Sequence, residues 1–221
     1  MYTPTRHQLT DRDEIFRLIA DHPFGAWIFT SEDGLTANHI PFFLDRSRGP
    51  LGTLMAHVAR ANPIWRELRD GVPSMVLFQG PHAYISPGWY PSKAKHGKVV
   101  PTWNYAVAHV HGVARAVDDA NWLMDMLNRL TDANEARQNM PWRVADAPVD
   151  YIEKLSRAIV GIEIPIDRLE AKMKASQTSE VADRFGAIDG LRRTPSRTSS
   201  DTTAAMADLM RRVIDAEISE Q

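Results

Sequence analysis

Three lysines, two histidines, two tryptophans and three tyrosines fall in one stretch, Gly80 to Tyr105, which reads GPHAYISPGWYPSKAKHGKVVPTWNY. Lys93, Lys95 and Lys98 supply positive charge. The Gly97-Lys98 step lets the backbone come close to an anion. The aromatic rings offer flat faces to a planar ligand. The pattern reads as strand, long ordered loop, strand, and such a loop in a compact domain is uncommon unless it binds something. A planar ring with a phosphate tail satisfies all of these residue types, and FMN is the cofactor they suggest.

Three smaller groups carry the same chemistry. In His57-Val58-Ala59-Arg60-Ala61-Asn62 a strand passes into a helix, where Arg60 and the amides near Asn62 can grip a phosphate. The plainer reading is an arginine at a helix cap bonded to a surface carboxylate. In Thr36-Ala37-Asn38-His39-Ile40-Pro41 strand alternation sends Thr36, Asn38 and Ile40 one way and Ala37 and His39 the other. Such side chains can bond the polar edge of a flavin ring, or simply form the wet face of a two-sided sheet. In the third group Lys98 brings charge, Thr102 a hydroxyl, Trp103 a flat apolar surface and Asn104 an amide. Its alternative is a solvated basic loop packed on itself. His109 and His111 project from one strand face and could ligate a metal, with His39 or His57 as a third ligand. Two structural or pocket-edge histidines are the preferred reading there. No G-x-S-x-G, P-loop or G-x-G-x-x-G motif occurs.

Short strands separated by turns must position these groups. Thr10 or Asp11 should cap a first helix, with Pro23 beyond its end. Strands are expected at 24–31, 35–45, 51–58, 72–79 and 82–86, with Gly34 closing a hairpin and a short helix at 61–70. A long strand follows at 102–117. Asp118 or Asp119 starts a helix through Trp122, Leu123, Met126, Leu127 and Leu130. A short helix at 149–157 and a strand at 159–166 come next, and Pro165 suggests an edge or a strand end. Residues 184–197 look polar and irregular, 194–203 a mobile linker. A terminal amphipathic helix, 204–218, shows Met206, Leu209, Met210, Val213 and Ile218 on one side. This pattern argues a barrel or sandwich rather than βαβ units.

With 221 residues, 43% apolar and 24% charged, the chain has ordinary globular composition. A net charge of −2 gives no global basic footprint for nucleic acid. The absence of cysteine excludes disulfides, thiolate metal sites and cysteine catalysis, and is compatible with a cytoplasmic location. No signal peptide or membrane span is expected.

The strings GPHAYISPGWY, GKVVPTWNY, AHVARANPIWREL and PFGAWIFTSEDGLTANHIPFFLD resemble the PaiB-like proteins, called FMN-binding negative transcriptional regulators. The resemblance runs from Met1 to about Gly190 and includes PW-x-V-x-DAP at 141–148 and AIVGIEIPIDRLEAKMKASQ at 158–177. Departures fall at Gly88, where Ser is expected, and at Ala171, Met173, Ala175 and Thr178, where Gly-x-Trp-x-Leu-x-x-Asn is usual. The resemblance implies a mainly β (α+β) split β-barrel of the pyridoxamine-phosphate-oxidase type with peripheral helices. It implies a homodimer with FMN at the subunit interface, and one domain over 1–190 followed by a linker and helix at 191–221. The site carried over is Asn38, His39, His57, Arg60, Asn62, Lys98, Thr102, Trp103 and Asn104. The function implied is a flavin-dependent regulator, or an oxidoreductase whose substrate the chain does not name. Two alternatives stand beside it. One is a repressor that binds DNA directly, for which Arg192, Arg193, Arg197, Arg211 and Arg212 form the sole basic concentration. The other is a haem-binding split barrel, since eight histidines allow an axial ligand.

Overall fold

The computed structural model describes residues 1–68, 70–194 and 202–219. Eight antiparallel strands and six helices follow one another as β1 (Gln8–Leu9), α1 (Arg12–Asp21), β2 (Phe24–Ser31), β3 (Gly34–Pro41), β4 (Phe43–Asp45), β5 (Thr53–Ala59), β6 (Val72–Ile85), α2 (Ser92–His96), β7 (Thr102–Val117), α3 (Ala120–Glu135), α4 (Val149–Ser156), β8 (Ile159–Lys174), α5 (Val181–Arg193) and α6 (Thr203–Ser219). The sheet order is β3-β2-β6-β7-β8-β5-β4, with β1 paired to β8. Among the described residues no helix is long and apolar enough to cross a membrane.

Two compact units divide the chain. The first holds Met1–Leu18, Gln79–Ala108 and Ala171–Gln221; the second holds Ile19–Phe78 and His109–Glu170.

In the second unit β2 and β3 form the expected hairpin, in register from Phe24 opposite Pro41 to Ser31 opposite Gly34. Gly34 takes φ +110°, a conformation that costs glycine little. The expected strand 35–45 breaks in two. Phe42 leaves the ladder, donates its N–H to Pro23 O at 2.9 Å, and buries its ring edge-on against Phe78. The expected helix 61–70 is a tighter 3-10 turn, Pro63–Leu68. Asp119 caps α3 by accepting from the Trp122 N–H at 2.7 Å. Leu123 and Met126 of α3 pack with Met55 of β5 in a small apolar cluster.

Pro165 does not end its strand. It sits opposite Thr53 within β8, and the ladder resumes when Ile166 N donates to Gly52 O at 3.0 Å. Gly112 makes room for it, since a Cβ there would lie 2.1 Å from Pro165 O.

In the first unit Gly80-Pro81 reads like a turn but stays inside β6. A Cβ at Gly80 would meet the Leu18 side chain at 2.5 Å, so the missing side chain allows close packing. The polar stretch after Arg184 is helix α5, which sequence periodicity did not reveal. Gly186 and Gly190 weaken its intrinsic helix propensity. They also let Trp89 lie flat against it, because a Cβ at Gly190 would fall 2.2 Å from that indole. Tertiary packing, which supplies most helical stability in proteins, outweighs the propensity. Helix α6 docks on α5 within this unit, burying Met206, Ala207, Leu209, Met210 and Ile214. Ile214 takes the place expected for Ile218, which is exposed. Of the linker expected at 194–203, residues 195–201 lie outside the described residues.

Gly112→Ala should destabilise the fold by about 1–3 kcal/mol, because the added methyl must displace a backbone carbonyl. A thermal melt that superimposes on the parent's would refute the close approach.

Candidate functional site

The nine residues singled out by sequence fall into two groups, one in each unit.

In the second unit β3 alternates as expected: Thr36, Asn38 and Ile40 take its sheltered face and His39 the exposed one. His39 lies beside the exposed Phe24, ring centroids 6.2 Å apart. Asn38 instead meets Asn62, which follows β5, through an Nδ2-to-Oδ1 hydrogen bond of 3.4 Å. Asn62 Oδ1 also accepts from the Ile64 N–H at 3.2 Å, which caps the short turn. Arg60 spends most of its donors inside the protein. Its Nη1 and Nη2 grip both oxygens of Asp118 at 2.8 and 2.5 Å, while Nε and Nη2 reach the carbonyls of Arg157 and Ile159. That hydrogen bonding holds the Asp118 carboxyl below its ordinary range.

His57 differs. Its Nδ1 is buried with no hydrogen-bond partner, and so is Trp27 Nε1, on the β2 residue in register with Asn38. A buried polar atom left unpaired costs about 1–3 kcal/mol, so such atoms call for a partner. Burial also holds the His57 imidazole below its ordinary value.

The remaining residues lie in the first unit. Lys98 and Thr102 line a cleft of about 360 Å³ together with Arg6, Tyr90, Lys174 and Ser176. The Lys174 ammonium donates to the Thr102 hydroxyl. Asn104 is fully buried and does not open on the cleft; it holds Ser176 in place. Its Nδ2 donates to Ser176 Oγ at 2.9 Å, and that hydroxyl donates back to Oδ1 at 3.2 Å. Ser176 has φ +59°, the one positive φ among the described non-glycine residues. That left-handed conformation costs a serine about 1–3 kcal/mol and persists where surrounding contacts enforce it. Trp103 faces away from the cleft. It is 55% exposed, flanked by His82 at 6.4 Å and Tyr84 at 6.2 Å between ring centroids.

Sequence reasoning missed Arg6, Lys174 and Ser176. Alternation gave no signal for them, because in β8 it breaks after Ile166.

The His109–His111 pair finds Glu170 as a third member, instead of His39 or His57. His111 Nε2 lies 3.1 Å from Glu170 Oε2, while Arg168 Nη1 lies 2.8 Å from Oε1. Burial holds His109 below its ordinary value.

Residues 1–168 match the family described as "Putative FMN-binding domain". An uncharacterised protein of Emericella nidulans is 36% identical over 225 residues, spanning 86% of this chain and 90% of its own. The protease synthase and sporulation protein PAI 2 of Bacillus subtilis is 27% identical over 214 residues, 97% of this chain and 100% of its own. The FAD and heme binding protein of Mycobacterium smegmatis has a similar fold, with TM-score 0.59 at 18% identity, covering 82% of this chain and 80% of its own. The chain belongs to the FMN-binding domain family, and its fold is the α+β, mainly β split barrel of that class. FMN is its cofactor.

The second unit holds polar groups of the kind a flavin requires. His57 Nδ1 and the loosely bonded Asn38–Asn62 pair leave donors and acceptors unspent, the chemistry of a polar ring edge or ribityl chain, whereas the unpartnered Trp27 Nε1 belongs to a fully buried side chain.

His57 also sets an acid limit on stability. Its folded pKa is depressed, so below about 6.5 the unfolded chain binds the proton more readily and stability falls. Above that pH its contribution is constant. In His57→Gln, melting temperatures measured from pH 7 down to pH 5 should fall less steeply than in the parent; parallel curves would contradict the burial.

Proposed function

We propose that this chain is an FMN-dependent redox protein that works as a homodimer, and that any regulatory role runs through the state of its flavin. The observation that carries the reading is the buried, unpartnered His57 Nδ1, on the strand that leads into Asn62 and its bond to Asn38. Asn38, His57 and Asn62 would hold the polar part of the cofactor. When bound, FMN supplies the electron transfer, while the protein supplies binding and orientation. The reading is flavin oxidoreduction, with no substrate named.

The exposed Trp103 and Tyr84, with the half-buried His82 beside them, support self-association. Rings of that size left in water mark an interaction surface. Direct DNA binding has less support. Arg192 pairs with Asp208 and Arg211 with Asp215, which offsets the basic concentration, and Arg197 lies outside the described residues.

Purified protein should show flavin absorbance bands, or its apo form should bind FMN at micromolar concentration. Asn38→Ala and Asn62→Ala should each weaken that binding by up to about tenfold, the value of one lost hydrogen bond. No flavin bands and no FMN binding would sink the reading. Light scattering at micromolar concentration should report a dimer, and a monomer would remove the self-association. A gel-shift titration should show no salt-dependent binding to promoter DNA; such binding would favour direct repression.

A further inference from the structure

We infer that the cleft of the first unit receives a second anion, the phosphate or carboxylate group of a small hydrophilic molecule other than FMN. The cleft converges on Arg6, Lys98 and Lys174. None of the three forms an ion pair among the described residues. Two carboxylates also line it, and both are engaged. Asp183 accepts from the Ser92 N–H at 3.0 Å and from its hydroxyl at 2.6 Å. Glu180 lies 3.5 Å from Lys95 Nζ. His7 and His96 complete the titratable lining. His7 Nδ1 contacts Gln177 Oε1 at 3.2 Å, and His96 Nδ1 accepts from the Lys98 N–H at 3.0 Å. Unpaired cations of this kind repel one another, and an incoming anion relieves that repulsion.

A second observation points the same way. Ser176, in its left-handed conformation, opens on the cleft and is held from below by the buried Asn104. Strained residues held by several contacts concentrate at ligand clamps. The bond from Lys174 to Thr102 places a hydroxyl beside the ammonium.

The lining also argues against a flavin ring in this cleft. Sites for large planar ligands are walled mainly by apolar and aromatic side chains. Here Tyr90 is the one large aromatic ring of the lining, Val99 and Val100 are its apolar members, and Ser92, Thr102, Ser176, Thr178 and Ser179 outnumber them. Trp103 points elsewhere.

The inference rests on the proposed function only in placing FMN on the second unit. Isothermal titration of the FMN-loaded protein with inorganic phosphate, and separately with succinate, tests it. At least one should bind, with affinity falling as salt is raised. Binding of phosphate alone identifies a phosphorylated ligand; binding of succinate alone identifies a carboxylate. Lys174→Met should weaken that binding at least tenfold and leave FMN affinity unchanged. Arg6→Ala, at an exposed position, gives a second reading should Lys174→Met melt early. If neither anion binds, or if Lys174→Met loses FMN together with the anion, the inference is overturned; the second result would make the cleft the cofactor's own phosphate site. Should the parent bind no FMN at all, the flavin reading fails separately, and the same titrations on the apo-protein still decide the anion.

Discussion

The row of small side chains on the buried face of β7 is the constraint on which the rest of the structure depends. Asn104, Ala106, Ala108, Val110, Gly112 and Ala114 follow one another at every second position, each buried. That alternation from Asn104 to Ala114 gives the strand one continuous buried face, and the sheet order sets it between β6 and β8. Small side chains let other backbone approach. At Gly112 the approach is close enough to admit the carbonyl of Pro165, which keeps β8 continuous through a residue that cannot donate to a ladder. Larger residues would fill that space and push β8 away.

The same strand explains why one buried polar group stands among apolar neighbours. Asn104 occupies the first buried place on β7 and satisfies itself on Ser176 and on the sulfur of Met210. A buried amide must find partners or forfeit stability. Here those partners tie β7 to the turn after β8 and to α6, all within the first unit. The left-handed serine at that turn follows from the tie rather than from its own preference.

Polar groups in this structure behave in two opposite ways. Arg60 is saturated by Asp118 and two carbonyls, so its charge contributes mainly to holding the end of β5. An ion pair this exposed contributes about 0–1 kcal/mol to stability. His57 and Trp27 keep buried atoms without partners, and Arg6, Lys98 and Lys174 form no ion pair among the described residues. Under the function proposed above, unspent capacity of this kind is what a ligand would use.

Much of this was legible in the chain. The β2–β3 hairpin, β7, the Asp119 cap, α4 and the terminal helix follow from alternation, turn residues and capping chemistry, all local properties. The family strings carried the fold class and the cofactor. Four features were not legible: the break at Phe42, the continuity of β6 through Gly80-Pro81, the continuity of β8 through Pro165, and helix α5. In each case a glycine, a proline or a run of polar residues signals one thing locally, and a distant neighbour overrides it. Phe42 is drawn off its ladder by Phe78, Gly80 accepts Leu18, Gly112 accepts Pro165, and Gly190 accepts Trp89. Residue types alone nominated Lys98, Thr102 and Asn104 together. Tertiary structure alone decided that the first two open on a cleft with Arg6 and Lys174 while Asn104 lies beneath it, because burial and partner choice depend on contacts between residues far apart in the chain.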